Sequence, residues 1–288
     1  MDIAFEQVSF RHARGTPFES AALNGISLHI PSGQFVAVMG RTGSGKSTLA
    51  QMINGLILPQ EGEVRVGAYR MAGHYRTNLR ELREHVGYVF QYPEHQLTEE
   101  TVLHDIGYSL RKRGMAEHVI RTRVMETMEQ VGLSSDRLTD CSPYRLSRGQ
   151  MRRVALAGAL IGQPSILVMD ELTSGLDPAG RSGLLALVRS LHEKKKLTIV
   201  YVTHRLEEAL EHADRIVAMH GGKVHADLSP AEAPHRLREL REAGLQDTPL
   251  LKLIDRLEPV LPERGNVECI VKERQLITYL AQMLKGVE

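Results

Sequence analysis

Cysteine is nearly missing: the 288 residues include only Cys141 and Cys269, far apart in the chain. A secreted domain stapled by disulfides is therefore not expected. Neither sign of charge dominates, with 36 Lys plus Arg against 35 Asp plus Glu, so the chain lacks the global basic footprint that nucleic-acid binders usually carry. Long hydrophobic runs are also missing. The most apolar windows, "FVAVMG" at 35–40 and "SILVMD" at 165–170, fall far short of the roughly 20 residues that span a bilayer. The opening "MDIAFEQVSF" alternates like a strand and shows no basic segment followed by an apolar one. These absences point to a reduced, cytosolic, unsecreted chain that meets a membrane only through a partner. Its length suits one large domain, or one domain with an appendage.

What is present falls into distinct rhythms. Residues 3–10, 22–30 and 63–67 are short, partly alternating runs separated by Gly, Pro and Ser, as in an antiparallel sheet. "FVAVMG" is instead continuously apolar and enters Gly-rich residues, then a helix with Leu49, Met52, Ile53 and Leu56 at i, i+3, i+4, i+7. "SILVMD" and "LTIVYVTH" (197–204) are two more such runs, separated by a helix whose face is Leu184, Leu187, Val188 and Leu191. Strands that alternate with helices in this way pair in parallel and are buried on both faces. Residues 98–133 read as helical, with Ile120, Val124, Met128 and Val131 on one face, and a helix after Ser147 reaches about Ile161, so 92–162 reads as a helical subdomain. "DRIVAMHGGKV" carries a Gly-Gly hairpin signal at 221 and 222. After Ser229 the pattern changes. "SPAE" is a helix start with Pro at the first position. Amphipathic segments follow near 249–260 and 272–285, the second with Leu276, Ile277, Leu280, Met283 and Leu284 on one side. A boundary is expected near residue 230.

"GRTGSGKS", residues 40–47, fits G-x-x-x-x-G-K-[ST] and lies directly between a buried strand and an amphipathic helix. Gly40, Gly43 and Gly45 let the backbone wrap around phosphates, and Arg41, Thr42 and Ser44 complete the loop. Lys46 is expected to reach the β- and γ-phosphates and the Ser47 hydroxyl to ligate Mg²⁺, with Thr48 next in the helix. In open α/β sheets ligands bind beyond the carboxyl ends of the strands. The run at 36–39 ends in this loop, the run at 166–169 in Asp170 and Glu171, and the run at 198–203 in His204, so the three ends are expected to share one edge. Asp170 suits the acid that holds Mg²⁺, and Glu171 the base that activates water against the γ-phosphate. His204 is expected to contact the γ-phosphate. An isolated "DE" would be a surface pair and a lone His a structural one; their strand-end placement beside a phosphate loop favours function. Gln91, after "VGYVF", is by itself equally a plain loop glutamine.

Residues 146–150, "LSRGQ", precede a helix, and Ser147 with Gln150 is a capping box. Ser147 and the Gly149 amide at that helix start also form an anion site. Together these pieces resemble the ATPase subunit of an ABC transporter over about residues 1–230. Gln91 takes the Q-loop position, "LSRGQ" stands for the signature LSGGQ, "ILVMDE" for the Walker B strand, "SGLDP" for the D-loop and His204 for the switch histidine. The resemblance implies that two subunits sandwich two ATP molecules with Mg²⁺. Ser147, Gly149 and Gln150 of one subunit complete the site of the other, Asp177 communicates across the dimer, and Gln91 serves both metal and catalysis.

A finer resemblance is to the energy-coupling factor type, the A component of vitamin and metal importers, carried by "TPFE" at 16–19, "QYPEHQL", "SPYRLSRGQMRRVALAGAL" and the tail. It implies an α/β P-loop NTPase core with a mainly parallel sheet, an antiparallel β subdomain and a helical subdomain, spanning 1–230, and a helical dimerisation appendage at 231–288. It implies ATP hydrolysis that drives uptake of a vitamin, metal ion or other small solute, at the cytoplasmic face of the cell membrane. The implied partners are a second ATPase subunit, identical or related, a membrane T component resting near Tyr92 to Leu97, and a substrate-binding S component; nucleic acid is not among them. Three departures stand out: Arg148 for the first signature Gly, Leu172 for the Pro after the Walker B Glu, and His12 where an adenine-stacking Tyr is expected. They are expected to weaken one composite site relative to a partner's. The competing reading, a soluble ABC-type ATPase acting on nucleic acid or ribosomes, would bring a long coiled-coil insertion or tandem cassettes.

Overall fold

The computed structural model describes residues 1–73, 75–76 and 78–257; the amphipathic stretch expected at 272–285 and Cys269 lie outside them. The chain opens with β1 (Ile3–His12) and β2 (Ser20–Ile30), then β3 (Phe35–Gly40) runs into α1 (Lys46–Ile53). β4 (Glu61–Val66), β5 (Tyr69–Ala72) and β6 (Tyr75–Arg76) follow, and α2 (Leu79–His85) leads to β7 (Val86–Val89). The helical segment holds α3 (Val102–Lys112), α4 (Glu117–Gln130), α5 (Ser135–Leu138) and α6 (Arg148–Leu160). Then come β8 (Ile166–Asp170), α7 (Pro178–Lys195), β9 (Thr198–Val202), α8 (Leu206–His212), β10 (Arg215–His220), β11 (Lys223–Leu228), α9 (Leu237–Glu242) and α10 (Pro249–Leu257).

These strands form an antiparallel sheet, order β2-β1-β4-β5-β6, and a second sheet, order β11-β10-β3-β9-β8-β7. In the second, all neighbours pair in parallel except β10 with β11. β3 shows why its run is continuously apolar: Phe35, Ala37 and Met39 face one buried cluster, Val36 and Val38 the other. The Val36 side packs with α1 and the antiparallel sheet, while the Phe35 side packs with the helical subdomain, α7 and α8. Ala233, Leu237, Leu240, Ala243, Leu245, Leu251 and Ile254 join this second cluster, so residues 233–254 share a core with the sheet.

Several elements differ from the expected pattern. The helical run at 98–133 is two helices, because α3 ends at Lys112 and the chain turns through Gly114 before α4. Leu187 is only half-buried, while Leu185 and His192 are taken into the core. Ser229 and Glu232 do form a capping box, yet the turn they open is 3-10, with Pro234 inside it; Pro lacks the N–H that a continuing α-helix needs. β7, which holds most of "VGYVF", is a buried edge strand of the parallel sheet.

Candidate active site

Register brings the strand ends level. Val38 pairs with Val202, and Val202 with Asp170, so β3, β9 and β8 finish side by side. Val89 of β7 pairs with Met169, which makes β7 a fourth strand end and carries Gln91 to Glu171. The Gln91 Nε2 donates to Glu171 Oε2 at 3.0 Å.

The phosphate loop is built where no side chain fits. A Cβ on Gly40 (φ 141) would lie 2.2 Å from the Met219 carbonyl oxygen, and one on Gly45 (φ 100) 2.3 Å from that of Ala22, so only glycine lets the loop turn this close to β10 and β2. Gly45 caps α1 without a side-chain bond, and no acid sits in the first turn. The helix N–H groups are thereby left for an anion. Ser44 Oγ is buried with no partner, an orphaned hydroxyl of the kind a phosphate oxygen would satisfy. Lys46 is 8% exposed, and its Nζ donates to the carbonyls of Gly40 at 2.9 Å and Arg41 at 2.8 Å. Burial lowers its pKa, against the charges of Glu171 and Asp170. The Arg41 stem lies on Gly244, where a Cβ would come within 2.2 Å of Arg41 Cγ.

Asp170 is 5% exposed. Burial raises its pKa and the charge of Glu171 adds to this, while a hydrogen bond with Ser47 and the charge of Lys46 pull it down. A hydroxyl and a carboxylate thus meet beside the phosphate loop, a donor set that suits a small hard cation. Its neighbour Glu171 points elsewhere, because Glu171 is in the left-handed region at φ 48. That conformation costs a non-glycine residue about 1–3 kcal/mol and persists only where its surroundings impose it. Here the Glu171 N–H donates to Val202 O at 2.9 Å, and its carbonyl accepts from Ser174 N at 3.0 Å. With Oε2 held by Gln91, Oε1 lies 3.3 Å from His204 Nδ1.

His12 lies at the rim. Its Nε2 is 3.1 Å from Thr48 Oγ1, and its ring meets Phe10 edge-on at 5.0 Å. Phe10 is itself packed against the core of the antiparallel sheet.

Ser147, Gly149, Gln150 and Asp177 gather elsewhere, around a cavity of about 450 Å³. The capping box is closed: Ser147 Oγ accepts from Gln150 N at 3.3 Å, and Gln150 Oε1 from Ser147 N at 2.9 Å. Asp177 caps α7 through the Gly180 N–H at 2.7 Å. Around Gly149 no atom beyond its chain neighbours and its own helix backbone lies within 4 Å of where a Cβ would stand. Arg148 is exposed, and Leu172 is fully buried in the core.

One residue tying the two places together went unnoticed in the sequence. Arg152 of α6 is 3% exposed and donates to the carbonyls of Leu172 and Ser174, on either side of Thr173. Its neighbour Arg153 turns to Val131 O, and nothing in the pair "RR" says which one faces inward. Only the helix phase, set by the cap at Ser147, could have separated them.

A Walker-type loop, a strand-end acid pair and a capped signature turn on this double-sheet fold define an ATP-binding cassette. The ABC transporter family profile matches residues 23–174, more than half the chain, and the chain belongs to that family. Within it, relatives named energy-coupling factor transporter ATP-binding protein EcfA2 are similar over nearly the whole length. That of Bacillus licheniformis is 44% identical, covering 91% of this chain and 90% of its own. That of Acetivibrio thermocellus is 42% identical over 91% and 92%. Among solved structures, cbiO1 from Clostridium perfringens, described as part of the ABC transporter complex cbiONQ, superposes with a TM-score of 0.73 at 31% identity, over 89% of this chain and 98% of that one. A dimeric ATP-binding cassette in a post-hydrolysis state with ADP and Pi gives 0.72 at 30% identity, over 79% and 98%. Among the described residues no helix is long and apolar enough to cross a membrane.

Proposed function

We propose that this chain, an ATP-hydrolysing subunit of an energy-coupling factor ABC importer, does its chemistry where β3, β7, β8 and β9 end, with Glu171 as general base. The carrying observation is the grip on Glu171: Gln91 and His204 hold one carboxylate oxygen each, at 3.0 and 3.3 Å, beside a loop made to bind phosphate. In the step, Glu171 accepts a proton from water as the water oxygen bonds to the γ-phosphorus. The bond from that phosphorus to the bridging oxygen breaks, leaving ADP and phosphate. Lys46 exchanges the Gly40 and Arg41 carbonyls for β- and γ-phosphate oxygens, and Ser44 and the loop amides take the rest. His204 steadies the carboxylate and the γ-phosphate, and His12 lies at the adenine end.

Ser47 and Asp170, with Gln91, would hold Mg²⁺. Among the described residues no three His, Cys, Asp or Glu side chains converge on a metal position, so phosphate oxygens and water would complete the shell. When bound, the ion neutralises charge on the phosphates.

A second cassette, identical or related, would supply the missing wall. The signature turn satisfies its own backbone and leaves Gly149 clear on the outside, which suits a γ-phosphate brought by the partner copy, with Asp177 alongside. The segment from residue 231 onward would reinforce that pairing. A groove of about 470 Å³ between β7, α3 and α6 fits a docking element of the T component next to Tyr92–Leu97. Asn54, Tyr88, Asp105 and Ser109 are among the residues that line it. On this reading the S component joins through the T component and selects the vitamin, metal ion or other solute, while the cassette sits peripherally on the cytoplasmic face. Glu171→Gln is expected to keep ATP binding while phosphate release falls by roughly 10² or more; undiminished turnover would remove Glu171 as the base.

A further inference from the structure

Glu208 of α8 is 8% exposed and touches none of the residues assigned above to nucleotide, yet three hydroxyls converge on it. Its Oε2 accepts from Tyr201 OH at 2.5 Å and from Thr203 Oγ1 at 3.1 Å, and Thr173 Oγ1 lies 3.0 and 3.1 Å from its two oxygens. The Nε atoms of Arg181 and Arg205 lie 3.8 and 3.9 Å from Oε1. Tyr201 and Thr173 also meet directly, at 2.9 Å.

Several of these partners lie within four residues of one assigned above to the nucleotide site. Thr173 is two residues past Glu171, Thr203 immediately precedes His204, and Arg181 is four past Asp177 on α7. One carboxylate therefore ties together the segments whose other ends meet at the 3.3 Å contact between Glu171 and His204. From the opposite side Arg152 holds the carbonyls of Leu172 and Ser174, so residues 172–174 are fastened both to the signature helix and to α8.

Leu206, Ala209 and Leu210 of the same helix are buried apolar residues. Exchanging an entire buried charged network for well-packed apolar side chains is often neutral or stabilising, whereas removing the carboxylate alone leaves its hydroxyls unpaired, each at a cost in stability. What an apolar residue cannot do is fix three hydroxyls at set distances. Hydrogen bonds to a carboxylate are short and directional.

We propose that Glu208 is a positioning residue for hydrolysis: through Thr173 and Thr203 it sets the separation of Glu171 and His204, with Tyr201 anchoring the carboxylate. The inference rests on the roles given to Glu171 and His204 above. Steady-state ATP hydrolysis by the full-length chain, with circular dichroism as a check on folding, tests it. Glu208→Leu is expected to lower kcat by about tenfold or more while KM for ATP stays within about twofold, because misplacement of reacting groups reads out in the chemical step. Glu208→Gln keeps an acceptor for Tyr201 and Thr203 and should recover kcat to within about threefold of wild type. In a His204→Ala background Glu208→Leu should add no further loss, since the pair it aligns is gone.

Wild-type kcat in a folded Glu208→Leu protein, a parallel change in kcat and KM, or a full additional loss on top of His204→Ala would each overturn the proposal. Should Glu208→Leu not fold, Tyr201→Phe and Thr173→Val preserve shape and carry the test; unchanged kcat in both overturns it. Glu171→Gln run alongside separates the two levels. An inactive Glu171→Gln with a fully active Glu208→Leu removes only the positioning role, whereas an active Glu171→Gln removes the base assignment beneath it.

Discussion

The strand-end site and the signature turn are built on opposite principles. At the strand ends the charged side chains lean on groups beyond their own turn: Lys46 on loop carbonyls five and six residues back, Asp170 on Ser47, Glu171 on Gln91 and His204. Several of these arrangements are costly, since a lysine and an aspartate are buried and Glu171 is in a left-handed conformation. The turn at Ser147–Gln150 needs nothing from elsewhere. Its capping box closes on itself, and it leaves clear space around Gly149. Strain and interdependence in one region mark chemistry carried within the chain, while local completeness with an open outer face marks a surface made for something arriving from outside.

Substitutions can test that contrast. The largest effect is expected for Lys46→Ala, which should weaken ATP binding by about 10- to 100-fold through loss of charged hydrogen bonds, as measured by equilibrium binding; unchanged affinity would show that the buried lysine only braces its loop. Gly149→Ala should do the reverse of a usual active-site change. It should stabilise the chain by about 0.5 kcal/mol, as a helical glycine with room for a methyl group does when replaced by alanine, yet reduce hydrolysis by about tenfold by crowding a phosphate that must approach the backbone. Denaturation and turnover measured on the same preparation would check both signs, and undiminished turnover would leave the turn as a cap alone.

Ser147→Ala loses the cap and should cost about 1 kcal/mol in urea unfolding. The smallest shift concerns Asp170. Burial raises its pKa, so just above the ordinary carboxylate value of about 3.9 the folded chain keeps a proton that the unfolded chain has released. Stability therefore falls as pH rises through that interval, and at neutral pH the ionised side chain remains a cost. Asp170→Asn should accordingly raise the Tm of the nucleotide-free protein by about 2 °C and flatten its acid-side dependence. A lowered Tm would mean that the Ser47 bond outweighs burial.

The parts of this site that could be anticipated share a cause. β3, β8 and β9 are buried on both faces, so each is an unbroken apolar run, and the first polar residue after each run marks the sheet edge. β7 is just as buried, but it is four residues long and includes Gly87, too little to distinguish from a loop, and Gln91 was correspondingly weak. Glu208 and Tyr201 gave less still. Glu208 reads as one of two adjacent helix-surface acids, and Tyr201 as one more member of an apolar run. Their meeting depends on how α8 packs under β9 and how the turn after Glu171 returns to them.

Residue order was enough to place the Gly-rich loop between β3 and α1, the acids at the strand end, the self-capping turn and the kind of sheet, because each follows from neighbours a few positions away in sequence. Long-range packing was needed for the fourth strand, for the choice of Arg152 over Arg153 and for the carboxylate linking Thr173, Tyr201 and Thr203. Such contacts join groups tens of residues apart, and whether a polar side chain faces water or a partner is settled only when burial removes the water.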